Sequence, residues 1–528
     1  MAELRFKSAP WPPAKTVTAT VTASTPLRGM NPLQDSFIRL EEAEQLRQQG
    51  KLDRAQKICE SLVRRHPNYV AALHTLGLIL ADKNNYQEAL NCLVRAAMLN
   101  PRSWLTLTAL SGVYLHLDAS EMAAQALEQA RAIKPKDPAI LVTLGEIYRR
   151  EREYELAKDA FRQALALEDG LTPAATGLGW ICSFLGQNAE AAKIFEGLLG
   201  RGTRSLEVFS ALATLPPALV GVDLLTEMDN MVRDESQDKA AFENSAAFVR
   251  VAALDKAGRH AEAWEHAIPA NRTVFLAMQE DLRDSCERQR AVLASLRANQ
   301  IGAGGNSPVD GQPISLFILG PSRSGKTSVE QLVAMLDGVK RGYENPSVDI
   351  AIRRAFQTAG LLTSSYFELL PPQLYSLCRD IYLEELARRA GPARVFTNTH
   401  PARIHDAALM ANAFPNVRFI FVKRNLEDTV LRIYQRKYNR GNSYAYDLKA
   451  ARDHVLWYHQ MMDLMAEKLP DAVRIIHYED MVADPAAALR VAADVCGLPK
   501  PDGPLPAVGD DRGCAEPYRE FMAAELGR

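Results

Sequence analysis

The chain has 528 residues, 47% of them hydrophobic and 24% charged, with a formal net charge of -2. That length exceeds one ordinary core and predicts two or three domains, and the near-neutral balance shows no footprint of a nucleic-acid binder. Seven scattered cysteines, odd in number and never in CxxC pairs, argue against a disulfide scaffold and a structural zinc site. No apolar run reaches the roughly 18 residues that span a bilayer. No apolar segment follows the charges of the first residues, so no secretory signal is visible and a cytoplasmic protein is expected.

Residues 1–32, rich in Pro, Ala, Thr and Ser without periodicity, read as a disordered tail. A repeat then begins. Pro67, Pro101 and Pro135 lie 34 residues apart, as do Leu76, Leu110, Leu144 and Leu178, each followed by Gly77, Ser111, Gly145 or Gly179. Ala55, Ala89, Ala123, Ala157 and Ala191 keep the same spacing. This period, with a Leu-Gly pair in one helix and a fixed Ala in the next, resembles the tetratricopeptide repeat. Small residues let the two helices approach, Pro stops the second one, and stacked hairpins bury what one hairpin cannot. Five units fit between residues 33 and 202. From 203 to 300 the pattern stays helical but loses register, as expected of a capping and connecting segment; AALDKAGRHAEAWEHA (252–267) keeps the form of one degenerate hairpin. The Gly/Pro/Asn-rich stretch 301–313 marks a boundary. Over 314–528 short apolar runs alternate with helical stretches, the rhythm of parallel strands joined by helices.

The strand ISLFILG (314–320) runs into PSRSGKTSVEQLVAML, and Gly320, Gly325, Lys326 and Thr327 satisfy GxxxxGK[ST] in strand–loop–helix context. A glycine-permitted turn exposes consecutive amides at a helix N-terminus, where phosphate oxygens are held. A kinase or NTPase needs Mg²⁺, usually held by an Asp ending a second apolar strand. Here VRFIFVKR ends in Lys423 and Arg424, and RVFTN ends in Asn398; acids come only late, at Glu479 and Asp480. Cations at a strand end suit a further anion instead.

At these residues the sequence resembles the sulfotransferases that use PAPS (3′-phosphoadenosine 5′-phosphosulfate). Their loop close to PRSGTT is matched by SRSGKT at 322–327, and a motif resembling RDPRDTxLS by RNLEDTVLR, Arg424 to Arg432. KYNRGNSYAYDL (437–448), HYEDMVADP (477–485) and CGLP (496–499) look like the tail of bacterial sulfotransferases that carry tetratricopeptide repeats. The fold so implied is multidomain: an all-α tetratricopeptide solenoid followed by an α/β, P-loop-like, parallel-sheet sulfotransferase domain.

The resemblance also implies roles. PAPS would be the co-substrate, with no metal. Arg323 and Lys326 would neutralise the bridging and 5′-phosphate oxygens, and the backbone amides of Ser324, Gly325, Lys326, Thr327 and Ser328 would cradle them. Arg424 and Arg432 would clamp the 3′-phosphate, Arg432 reading alternatively as part of a solvated helix face. The general base is either Glu344, in RGYENPSV where the family has a segment resembling GGE, or His400 in TNTHP. Tyr478 either contacts the cofactor or fills the core. Asn398 and Thr399 depart from the family's Asp-Lys pair, so the charge of that Lys falls to Lys326 or the activity is lost. The repeats imply a protein or peptide partner and an acceptor protein or glycan, with no nucleic acid and no membrane span. A P-loop kinase or NTPase, and a silent nucleotide-binding scaffold, remain as alternatives.

Overall fold

The structure is a computed structural model. It describes residues 32–527 apart from 232, 234–237, 299–310, 363, 365, 439–440, 500–504 and 506–507. The N-terminal tail expected over 1–32, apart from Pro32, and most of the linker expected over 301–313 therefore lie outside the described residues. The chain forms two compact units divided between Pro135 and Lys136, inside the repeat array.

Three helical hairpins make up the described part of the first unit: α1 (Pro32–Gln48) with α2 (Leu52–Arg65), α3 (Val70–Asp82) with α4 (Tyr86–Leu99), and α5 (Trp104–His116) with α6 (Ser120–Ile133). The second unit opens with two more, α7 (Pro138–Arg150) with α8 (Tyr154–Leu167) and α9 (Thr172–Phe184) with α10 (Asn188–Gly200). The repeated residues explain the hairpins. Ala55, Ala89, Ala123, Ala157 and Ala191 are fully buried. A Cβ on Gly77 would lie 2.6 Å from Leu93, and one on Gly145 or Gly179 would lie 2.6 Å from Phe161 or Phe195. The small residue of the first helix is thus the socket for a large residue of the second. Each first helix ends on a left-handed residue, at Gly50, Asn84, Asp118, Arg152 and Gly186. These five share the 34-residue period, and Arg152 is the one among them for which that conformation is least natural.

Helices α11 (Leu206–Thr214), α12 (Leu224–Met228), α13 (Lys239–Lys256), α14 (His260–Ala277) and α15 (Gln279–Ala298) follow. The α13–α14 pair turns at left-handed Gly258, which keeps the hairpin form. It packs Val251, Leu254 and Trp264 against Leu431, Tyr434 and Tyr518 of the domain beyond.

That domain is a five-stranded parallel sheet in the order β2-β3-β1-β4-β5. Its strands are β1 (Ile314–Leu319), β2 (Val339–Lys340), β3 (Val395–Asn398), β4 (Val417–Lys423) and β5 (Val473–His477). The connecting helices are α16 (Lys326–Val333), α17 (Ser347–Thr358), α18 (Tyr375–Ala390), α19 (Ala407–Ala413), α20 (Leu426–Tyr434) and α21 (Leu448–Lys468), with α22 (Tyr478–Ala483), α23 (Pro485–Cys496) and α24 (Arg519–Leu526) after β5. Alternation along the central strands builds a core on each face. Phe317, Leu319, Phe419 and Phe421 face α17, α18, α19 and α21. Leu316, Ile318, Ile420 and Val422 face α16 and α23.

No helix among the described residues is long and apolar enough to cross a membrane, and all seven cysteines are free.

Phe161 is fully buried, with the Cβ positions of Gly145 and Gly177 both within 2.6 Å of its ring. Phe161→Ala empties a slot shared by two successive hairpins and should cost about 3–5 kcal/mol, read as a lower midpoint in chemical denaturation.

Candidate functional site

In an open α/β sheet, ligands bind beyond the strand C-termini where successive connections run in opposite directions. Here β1 and β4 are neighbours; the chain leaves β1 toward β2 and leaves β4 toward β5. The crevice between their ends is walled by the loop 320–325 and by Arg424.

The loop is shaped by two glycines. A Cβ on Gly320 would fall 2.3 Å from Ser324 Oγ and 2.8 Å from the Val422 carbonyl. Gly325 has φ +95°, and a Cβ there would lie 2.5 Å from the ring of Tyr478. Arg323, at φ +68°, takes the left-handed turn without being glycine. The amides of Ser324 and Ser328 already donate to the carbonyls of Pro321 (3.3 Å) and Gly325 (3.0 Å). Those of Lys326 and Thr327, in the first turn of α16, have no intrahelical acceptor. The Ser324 hydroxyl is buried without a partner among the described residues. Lys326 donates from Nζ to the Pro321 carbonyl at 2.8 Å. Burial pulls its pKa down to about 8, Glu344 opposing this and Arg323 adding to it. The protein packed around Arg323, an exposed residue, lowers its guanidinium pKa to about 10 together with Arg436 and Arg432, and leaves it a cation.

Across the crevice, buried Arg424 donates from Nη1 to the Arg323 carbonyl at 3.1 Å and lies over the Tyr478 ring at 4.6 Å. Its Nη2 pairs with Asp511 at 2.9 Å, while its Nε is buried without a partner among the described residues. Arg432 projects from α20 to the same place. Its Nε and Nη2 grip both oxygens of Asp511 at 3.0 and 2.7 Å, and its Nη1 pairs with Asp255 at 2.7 Å. Burial pushes the Asp511 carboxyl up, but the two guanidiniums outweigh this and hold it below the usual range. The segment carrying Asp511 is tied down twice. Asp428 accepts from the amides of Gly513 (2.8 Å) and Ala515 (2.9 Å), and Tyr478 Oη accepts from the Asp511 amide at 3.1 Å. Tyr478, almost fully buried, thus packs on the phosphate loop and braces the tail.

The third wall is 341–345. Glu330, buried on α16, accepts from the Tyr343 amide (2.9 Å), from the Thr397 hydroxyl (2.5 Å) and from Arg341 (3.1 Å). Asn398 donates to the Asn345 carbonyl (3.1 Å), and the Thr399 amide donates to the Tyr343 carbonyl (2.8 Å). The pair that departs from the family's Asp-Lys therefore fastens β3 to this loop and places no cation at its end. Glu344 projects half-exposed and pairs with Arg152, the left-handed residue of the fourth hairpin, at 3.4 Å. Arg152 is held by Tyr154 Oη at 2.8 Å, and the Tyr154 ring meets Tyr343 edge-on at 4.4 Å. His400 accepts from the Ala402 amide through Nδ1 (3.3 Å) and is held below its usual pKa by burial first and Arg403 next. Its neutral form therefore carries the proton on Nε2.

Residues 313–502 match the model of a sulfotransferase family, and residues 46–110 and 138–169 match tetratricopeptide-repeat models. The C-terminal domain is a sulfotransferase-family domain. Among curated relatives, protein-tyrosine sulfotransferase 1 of Danio rerio is 24% identical over 230 residues, 42% of this chain and 64% of that protein. Protein-tyrosine sulfotransferase 2 of Gallus gallus is 23% identical over 191 residues, 35% of this chain and 51% of that one. An uncharacterized protein of Aquifex aeolicus (strain VF5) is 25% identical over 271 residues, 49% of this chain and 35% of its own length. The chain thus spans between a third and two-thirds of the length of these relatives. Solved structures similar to part of it include MamA (23% identity, TM-score 0.29, 30% of this chain and 94% of that one). A tetratricopeptide-repeat protein from Parabacteroides merdae ATCC 43184 aligns at 20% identity and TM-score 0.36, over 45% of this chain and 92% of that one.

The structure brings Arg323, Ser324, Gly325, Lys326, Thr327, Arg424, Arg432 and Tyr478 to one crevice, with Glu344 close enough to Lys326 for its charge to act there. His400 senses the same Glu344. Sequence reasoning missed Asp255, Asp511, Glu330 and Arg152. Arg152 had a signal, since it stands where the other hairpin turns carry Gly, Asn or Asp; the others act through distant partners and had none. Removing the Glu330 carboxylate strands Arg341 and frees the loop bearing Glu344. Glu330→Ala should cost about 3–5 kcal/mol in chemical denaturation, as for other broken buried pairs.

Proposed function

We propose that this protein is a PAPS-dependent sulfotransferase that moves a sulfuryl group to a hydroxyl or amine of a protein or glycan acceptor recruited by its repeats. The observation that carries this reading is the convergence of Arg323, Lys326, Arg424 and Arg432 on one crevice beside a phosphate-type loop. Ser324 Oγ and Arg424 Nε are buried there with no hydrogen-bond partner among the described residues, as polar groups waiting for a ligand would be. PAPS, when bound, supplies the sulfuryl group and a phosphate leaving group.

The chain's own residues then divide the work. Amides of Gly325 to Thr327 and the cations Arg323 and Lys326 stabilise charge growing on the leaving phosphate. Arg424 and Arg432 orient the nucleotide through its 3′-phosphate, with Arg424 also bracing the loop turn. Glu344 takes the acceptor's proton at Oε. His400 fits the base role less well, because Nδ1 is engaged by a backbone amide and burial disfavours its charged form. Lys326 takes the place of the cation absent at Thr399. The protein-tyrosine sulfotransferase relatives fit a protein acceptor, and the repeats fit an extended peptide.

Calorimetric titration with PAP (3′-phosphoadenosine 5′-phosphate) and with ATP, each with and without Mg²⁺, tests the reading. PAP should bind without metal, and Arg424→Ala should weaken it about tenfold or more, given roughly 1.5–3 kcal/mol for a charged hydrogen bond. Metal-dependent ATP binding with none of PAP would assign the domain to the P-loop kinases, and silence toward both would leave a repeat scaffold. A second expectation concerns pH. Lys326, with its pKa lowered to about 8, loses its charge as pH rises through that value, so PAP affinity should fall between about pH 7 and 9. In Lys326→Met the affinity should be lower and this fall absent; a profile unchanged by the substitution would remove Lys326 from the phosphate site.

A further inference from the structure

Arg432 carries two carboxylates on different edges of its guanidinium. On the Nη1 edge is Asp255, at 2.7 Å, on the last turn of α13 in the helical segment that precedes the sheet domain. Asp255 is itself fixed: Tyr518 Oη donates to it at 2.7 Å and Gln435 Nε2 at 3.3 Å, and its side chain is only 13% exposed. On the Nε–Nη2 fork is Asp511, both oxygens engaged and one shared with Arg424. Two parallel N–H donors on two oxygens is the arrangement in which arginine takes a carboxylate or a phosphate interchangeably. The Asp511 side chain is 40% exposed. Its segment is held through backbone groups, by Asp428 and Tyr478, so the carboxylate can rotate away while those anchors stay.

We propose that these two carboxylates act in opposite directions: Asp255 is a positioning residue that fixes Arg432 for an incoming phosphate, and Asp511 is a stand-in for that phosphate that must leave the fork before it binds. The inference rests on the reading of Arg424 and Arg432 as a 3′-phosphate clamp. A carboxylate and a phosphate repel each other and compete for the same N–H donors, so Asp511 sets a toll on nucleotide entry. Without nucleotide it supplies the carboxylate shared by buried Arg424 and part-buried Arg432. Asp255 takes the one edge of Arg432 that the fork does not use, and so joins the connecting helices to nucleotide affinity.

The test titrates PAP and adenosine 5′-phosphate, which lacks the 3′-phosphate, into the full-length protein and its Asp511→Asn and Asp255→Asn variants. Asp511→Asn should tighten PAP by about three- to thirtyfold, the range of one or two partly exposed ion pairs, and leave adenosine 5′-phosphate unchanged. Asp255→Asn, which keeps the side-chain shape, should weaken PAP about tenfold, again without moving adenosine 5′-phosphate. PAP affinity unchanged or weakened in Asp511→Asn overturns the stand-in. Equal loss of both ligands in Asp255→Asn reduces that residue to a structural one and overturns its positioning role. Equal affinity of the wild type for the two ligands, or no binding of either, removes the clamp reading first and the inference with it, a result distinct from PAP preference with insensitive variants.

Discussion

The guanidinium of Arg424 is the contact on which the crevice depends. It leaves the end of β4 buried, holds the carbonyl of the left-handed Arg323 turn, lies over Tyr478 and pairs with Asp511. Phosphate loop, last strand and C-terminal segment are thus referred to one planar cation. A lysine could not do this, because a single ammonium lacks the fork and the flat face that separate those partners. The charge is tolerated out of water because acceptors surround it, with its Nε alone lacking a partner among the described residues.

Around that cation the sheet supplies direction rather than chemistry. The central strands are buried on both faces by alternating Phe and aliphatic side chains, which fixes their register and so the relative height of Gly320 and Arg424 at their C-termini. The helical segment before the sheet contributes polar groups as well as packing, since α13 lays Asp255 beside Arg432 while its apolar face meets α20.

Much of this was legible in the sequence for definite reasons. Hairpin geometry depends on sterics local to each repeat, so the 34-residue spacing from Gly145 to Gly179 and from Ala157 to Ala191 suffices to reveal it. The phosphate loop is a contiguous motif whose glycines are demanded by close approach, at Gly320 to Ser324 and at Gly325 to Tyr478. Asp511, Asp255 and Glu330 were not legible, because each acts through a partner tens to hundreds of residues away and nothing beside them in sequence marks it. Tyr478 was legible as a member of the crevice, but its bracing of the tail depends on a loop of no fixed pattern. Asn398 and Thr399 read as a loss by comparison with the family; in the folded chain they are a clasp, holding the loop of Glu344 to β3.

The pairing of Arg152 with Glu344 has a consequence for how such a chain can change over time. A solenoid ordinarily gains or loses repeats freely, because each unit touches only its neighbours. Here the turn of the fourth hairpin meets the loop bearing Glu344, with Glu151 also engaging buried Arg389 at 2.7 Å. That hairpin is committed to its place beside the sheet, and duplication or deletion at or beyond it shifts the register of the crevice wall. Hairpins added before it carry no such penalty. Growth of the array is therefore polar, open at the N-terminal side and closed at the sheet-domain one, and repeats can diverge there without disturbing the crevice wall.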